Sequence, residues 1–250
     1  MLGLRRLVVL VLFAVCVTTA SLFWGLGQPA TDAGRAFSPP PRAEAELDMA
    51  SSGMTAAVNI TRNPDADWVA WAAGQTGIPE RALRAYVAAA VTVNATVPAC
   101  GIGWNTLAGV GSVETAHGTY GGGYLTGAGQ GSRPVVGPAL NGAGFAAIAD
   151  TDGGALDGDP RWDRAVGPMQ FIPSTWQIVG RDGNADGTAD PFNIDDAALS
   201  AASYLCAGGR DLTTAGGWTS AIYAYNQSDA YIRKVRDQAA AYAASTGAAG

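Results

Sequence analysis

Glu114 is the one carboxylate in the stretch GVGSVETAHGTYGG (residues 109–122), and the only histidine of the chain, His117, follows three positions later. The rest of that stretch is mostly glycine, alanine, valine and threonine. A solvated surface helix carries several charges; this one carries one. Two roles suit such a residue: an ion pair with an arginine distant in sequence, or a carboxyl group kept protonated for general acid chemistry. Glu114 lies seven residues after Leu107 and three after Gly111, so all three share a helix face near the helix end. There the macrodipole and the unpaired carbonyls disfavour negative charge, and apolar neighbours withhold water; both effects raise a carboxyl pKa. One histidine with a glutamate at i−3 offers too few ligands for zinc, so His117 reads as structural.

Three other stretches carry chemistry-bearing residues. RAVGPMQFIPSTW (164–176) is a compact turn in which the amide of Gln170 stands between Met169 and Phe171, ahead of a helix-starting PSTW. AIYAYNQSDAY (221–231) holds Tyr225, Asn226 and Tyr231; tyrosines at helical spacing are usually core, and that alternative stands beside a binding role. RDGNADGTADPFNIDDA (181–197) puts Asp182, Asn184 and Asp186 at positions 1, 3 and 5 of a calcium-loop pattern, with Gly187 at 6 and Thr188 at 7. Asn193 occupies position 12, where such loops carry a bidentate glutamate, so an acidic turn with an Asx cap is the alternative. The aspartates of DTDGGALDGD (150–159) have no recognised ligand spacing and read as turn chemistry.

These stretches need elements to position them. DADWVAWAAGQTG is a short amphipathic helix ended by glycine, and IPERALRAYVAAAVTVN opens with Pro79 in its first turn. WNTLAGVGSVETAHG is helical to Gly118. Residues 119–160, rich in glycine, aspartate and proline, read as an ordered but mostly irregular loop. Helices resume with DDAALSAASYLCAGG, capped by Gly208 and Gly209, then GWTSAIYAYN, then a last helix with Ser228 at its N-cap. No sustained alternation of apolar and polar residues appears, so the fold class is mainly α.

With 250 residues, of which 48% are apolar, the chain is able to bury a sizeable core. Its net charge of −6 argues against a general affinity for nucleic acid or for anionic membrane. Residues 1–27, with Arg5 and Arg6 ahead of a long apolar run, read as a signal peptide or a membrane anchor. Residues 28–60, rich in proline, serine and alanine, read as a flexible linker, and 61–250 as the working domain. Outside the cytoplasm two cysteines are left in that domain, Cys100 and Cys206, and such a pair usually forms a disulfide; two buried thiols are the alternative.

The Glu114 stretch, the GPMQF turn and the YN pair occur in an order that resembles the lysozyme-like lytic transglycosylases. Their spacing is closest to the B-type lytic murein transglycosylases of glycoside hydrolase family 103, in the form carried by actinobacteria. The resemblance runs from about Cys100 to Tyr231. It implies that Glu114 is the single catalytic acid/base, that Gln170 is the amide lining the glycan cleft with Met169 beside it, and that Tyr204, Tyr225, Asn226 and Tyr231 hold the sugars. It also implies an EF-hand-like loop, lengthened so that Asp196 closes it, with one structural calcium ion and no organic cofactor. The implied activity is cleavage of the β-1,4 bond between N-acetylmuramic acid and N-acetylglucosamine of peptidoglycan, leaving a 1,6-anhydro end. The implied setting is the cell envelope, with membrane contact only through the N-terminal segment. A hydrolytic muramidase, which needs a second carboxylate such as Asp150 or Asp163, and a non-catalytic calcium-stabilised wall-binding scaffold are the competing readings.

Overall fold

Helix α3, Trp104–Thr115, is the element on which the others are arranged. Its sequence, WNTLAGVGSVET, has glycines where neighbours come closest. A Cβ at Gly109 would lie 2.7 Å from the Val235 carbonyl oxygen of helix α7 (Asp229–Ser245), and one at Gly111 would overlap the Tyr86 hydroxyl of helix α2 (Glu80–Thr96). Glycine costs helix stability, here offset by the tight approach of two partner helices.

In the computed structural model the described residues are 38–43, 45, 64–144 and 146–247. Along them run α1 (Ala66–Thr76), α2 (Glu80–Thr96), a 3₁₀ turn at Pro98–Cys100, α3, α4 (Pro173–Val179), α5 (Ile194–Leu205), α6 (Ala215–Tyr225) and α7 (Asp229–Ser245). Helix α2 packs on α3 and α5, and α3 packs on α7. Buried side chains of α2, α3 and α5, among them Leu83, Leu107, Val110 and Leu205, form the main core. The starts are set locally: Asp65 accepts from the Trp68 N–H, Asn193 from Asp195, Thr214 from Gly217 and Ser228 from Tyr231. Cys100 and Cys206 are joined across 106 residues with Cα atoms 5.4 Å apart, which ties the turn before α3 to the end of α5.

The fold is mainly α, with no strand among the described residues beyond isolated bridges. Those bridges lace the irregular segment: Leu125 pairs with Gly131, Asn141 with Ala147, Ala149 with Trp162, and Val166 with both Val136 and Phe171. Leu140, Ala165 and Ile172 make a small second core under it.

Three local expectations are corrected. Helix α3 stops at Thr115, not Gly118, because Ala116 and His117 adopt left-handed backbone (φ 48° and 64°), with the His117 N–H donating 2.9 Å to the Gly111 carbonyl. Helix α5 ends at Leu205, before Gly208 and Gly209, which instead turn the chain away at φ 73° and 74°. Part of the stretch read as linker is packed on the domain. Buried Asn105 donates to the Pro41 carbonyl (2.9 Å) and accepts from the Ala43 N–H (3.2 Å), so both ends of its amide are satisfied. The signal or anchor segment at 1–27 and the rest of 28–60 lie outside the described residues. Among the described residues no helix is long and apolar enough to cross a membrane.

Candidate active site

Glu114 sits in the last turn of α3, where α6, α7 and the turn at 167–171 meet. Its Oε1 accepts a 2.6 Å hydrogen bond from the Tyr231 hydroxyl, in the first turn of α7. Tyr231 is 5% exposed. Glu114 keeps part of its surface exposed, yet desolvation pushes its carboxyl up to about 8, while the Tyr231 hydrogen bond pulls the other way. Desolvation is therefore the main cause, ahead of the helix-end position read from sequence. Tyr225 and Tyr231 are themselves raised well above the usual phenol range, by burial first and by the adjacent Glu114 second. The site thus holds a carboxyl group that is protonated at neutral pH among hydroxyls that stay protonated. Such a carboxyl group can act as a general acid, with hydroxyls around it to hydrogen-bond.

The GPMQF turn is fixed to Glu114 by its neighbours. The Thr115 hydroxyl donates 2.7 Å to the Pro168 carbonyl, and the Tyr225 hydroxyl donates 2.7 Å to the Met169 carbonyl. Gly167 is required there, since a Cβ would overlap the Pro191 carbonyl oxygen. Gln170 takes a left-handed backbone (φ 51°), and its amide nitrogen donates to the carbonyls of Gly167 (2.9 Å) and Val135 (3.4 Å). Tyr204 donates to the Ala224 carbonyl and meets Tyr225 edge-on, and Phe171 meets Tyr225 and Trp176 in the same manner. A small cavity is lined by Gln170, Phe171, Thr175, Tyr204 and Tyr225.

The structure therefore brings Glu114, Met169, Gln170, Tyr225 and Tyr231 into one connected network, with Tyr204 at its edge. It alters the expected share of two of them. Met169 is 0% exposed, so its side chain packs under α3 beside Gly111 and presents no surface to a sugar. Asn226 is also 0% exposed, yet neither atom of its amide has a partner, and the same is true of the Thr175 hydroxyl. Buried polar groups are rarely left so, and each such case calls for a hydrogen-bonding partner. Thr175 and Trp176 carry no site reading in the sequence; their place in the PSTW segment directly after the GPMQF turn is the available signal.

The calcium-pattern loop has the following geometry. Asp182 accepts from the N–H groups of Asp186 and Gly187, Asn184 from that of Asp186, and Asp186 from that of Thr188. Ala185 and Gly187 take left-handed backbone, at φ 62° and 93°. Asp196 is buried and accepts from the N–H groups of Gly183 (2.7 Å), Asn184 (3.2 Å) and Asp190 (2.8 Å), so it already staples the loop to α5. The donors at Asp182, Asn184, Asp186 and the Thr188 carbonyl are all oxygens, a set that fits a hard divalent cation; Asp196 would have to share oxygens already in use. Elsewhere, carboxylate oxygens of Asp150, Asp152 and Asp163 come within 4.8 Å of one another. Asp150 accepts from the N–H groups of Asp152, Gly153 and Gly154, and Asp163 from the N–H and hydroxyl of Thr151. This is the turn chemistry expected of that stretch.

Comparison with known proteins supplies a family for part of the chain. Residues 156–220 match the family described as Transglycosylase SLT domain. The match covers the GPMQF turn, the calcium-pattern loop and α5. It does not reach Glu114 or the YN pair, whose assignment rests on the geometry above. No curated protein sequence matches the chain. Among solved structures, the Escherichia coli lytic transglycosylase Slt35 in complex with bulgecin A is similar at 14% identity and a TM-score of 0.40, over 70% of this chain and 78% of that one.

Proposed function

We propose that this enzyme is a peptidoglycan lytic transglycosylase in which Glu114 is the only acid/base. The observation that carries this reading is the Glu114 carboxyl itself: half-buried, hydrogen-bonded by Tyr231, raised to about 8 by desolvation, and with no second carboxylate among the causes of its shift. Hydrolytic glycosidases divide the work between two carboxyl groups. One carboxyl group suffices when the nucleophile belongs to the substrate. Glu114 donates its proton to the oxygen of the β-1,4 bond as that bond breaks, and N-acetylglucosamine leaves with a new hydroxyl. The C6 hydroxyl of N-acetylmuramic acid then attacks its own anomeric carbon and returns its proton to Glu114. The products are a chain end and a 1,6-anhydro ring, with no water consumed. Of the residues proposed to hold the sugar, Tyr204 keeps exposed surface and can meet it directly, whereas Gln170 and Asn226 are buried and act through the wall of the cleft.

The proposal extends to the nearest subgroup, the B-type family 103 enzymes in their actinobacterial form, and to a place in the cell envelope after export. It also includes one structural calcium ion held by Asp182, Asn184, Asp186 and the Thr188 carbonyl, with Asp196 closing the loop. Calcium then raises the melting temperature of the wild type and not of Asp186→Ala, since a ligand bound only by the folded state stabilises it. Equal melting curves with and without calcium remove the ion from the proposal and leave the chemistry intact.

Product analysis tests the chemistry. Digests of purified peptidoglycan should yield ends one water lighter than reducing ends and inert to borohydride. Reducible ends alone would identify a hydrolase and send the search to Asp150 or Asp163.

A further inference from the structure

His117 takes no part in the chemistry, yet it is built into the turn that ends the Glu114 helix in an unusual way. Ala116 and His117 are both left-handed, and neither is glycine, although the next residue, Gly118, is. Such a conformation is disfavoured for residues with a Cβ, so something must hold it. The His117 ring is 6% exposed and lies between two tyrosines from different helices. Its Nδ1 is 3.3 Å from the Tyr86 hydroxyl of α2, and its Nε2 is 3.0 Å from the Tyr242 hydroxyl of α7. The ring centroids stand 5.8 Å and 5.9 Å from those of the two tyrosines. Burial holds the imidazole neutral, with its pKa pushed down to about 4. A neutral imidazole has one donor and one acceptor, so one hydroxyl donates to it and the other accepts from it.

This bridge spans the elements that build the acid. Helix α7 supplies both Tyr242 to His117 and Tyr231 to Glu114. Tyr86 presses against α3 at Gly111, one turn before Glu114. The groups facing Glu114 are Tyr231 of α7 and Tyr225 of α6; those facing His117 are Tyr86 of α2 and Tyr242 of α7, beside Ser112 of α3. All are uncharged side chains.

We propose that His117 is a positioning residue for Glu114: a brace between α2 and α7 that holds the end of α3 in the register where Tyr231 reaches the carboxyl and the access of water is limited. The brace itself is independent of the reaction; only its kinetic consequence rests on the function proposed above.

Carboxyl titration by ¹³C NMR reads the brace directly, because the chain has only Glu44, Glu46, Glu80 and Glu114 as glutamates. In His117→Ala, and in Tyr242→Phe, the Glu114 pKa should fall by about one unit or more toward the ordinary carboxyl range as water enters. The basic limb of the pH–activity profile should move down with it. A displaced acid should also cost about tenfold in kcat, with KM little changed. His117→Asn, whose side chain favours left-handed backbone but cannot span both hydroxyls, should fall between wild type and alanine. If His117→Ala does not fold, Tyr86→Phe and Tyr242→Phe each delete one hydroxyl without touching the backbone and carry the test. Folded variants with a lower melting temperature but an unmoved Glu114 titration and unchanged kcat would overturn the proposal. A wild type that titrates as expected but cleaves no glycan would sink the function and leave the brace standing.

Discussion

Two groups of carboxyl side chains in this molecule are held in opposite ways. Glu114 has one hydrogen bond, from Tyr231, and a shell of aromatic and aliphatic side chains; its pKa rises. Asp150, 36 residues on in the irregular segment, feels some desolvation too, but the N–H groups of Gly154, Asp152 and Gly153 outweigh it and hold its carboxyl below the usual range. Glu114 is the single acid of its stretch, whereas Asp150 shares its segment with Asp152, Asp157 and Asp159. What separates them is the number of donors that favour the charged form. The helical site withholds donors and water and so makes an acid that gives up a proton at neutral pH. The glycine-rich loop supplies donors freely and makes a permanent anion that organises turns.

The sharpest way to break that contrast is to neutralise each group. Glu114→Gln keeps the shape and the Tyr231 hydrogen bond but has no proton to transfer, so cleavage of peptidoglycan should fall by roughly 10²–10⁴-fold while glycan binding survives. Asp150→Asn should leave the cleavage rate unchanged. Activity retained in Glu114→Gln would end the assignment.

Stability gives the next largest effect, with the sign reversed from the usual acid pair. Glu114 binds its proton more tightly folded than unfolded, so its contribution is complete below the unfolded value of 4.5 and is lost as pH rises through about 8. Glu114→Gln should therefore be more stable than the wild type at pH 9, by about 5 kcal/mol at most, and the gap should close toward pH 5. Urea unfolding at both pH values measures it. His117 works at the other end, because its depressed pKa makes stability fall as pH drops from 6.5 through about 4.

A smaller effect is the basic limb of activity. Only the protonated carboxyl donates, so the rate should decline by about tenfold per pH unit above a pH near 8. A limb near 4.5 would mean that the carboxyl is hydrated in solution. The smallest effect is that of Asp150→Ala on stability. Its lowered pKa means a contribution present above the ordinary aspartate range and lost as pH falls through the folded value, so the variant should melt below wild type at pH 7 and approach it in acid.

Much of this arrangement was legible in the chain itself. The helices carry their start signals at Asp65, Asn193, Thr214 and Ser228, whose side chains reach backbone only two or three residues away, and local bonds of that reach are written in local sequence. The charge-poor setting of Glu114 and the order of the GPMQF and YN stretches singled out one acid and one amide turn, and two cysteines in one domain predicted the bridge between Cys100 and Cys206. Tertiary structure decided what depends on contacts far apart in sequence. It set Tyr231 against Glu114 across 117 residues and Tyr242 against His117 across 125. It ended α3 three residues early, on left-handed backbone stabilised by side chains of other helices. It also packed Pro41 and Ala43 against Asn105 in a stretch whose composition reads as linker. The acidity of Glu114 belongs to this second class: a sequence can place a carboxyl among apolar neighbours, but how far water is excluded from it is fixed only when α6 and α7 close over the end of α3.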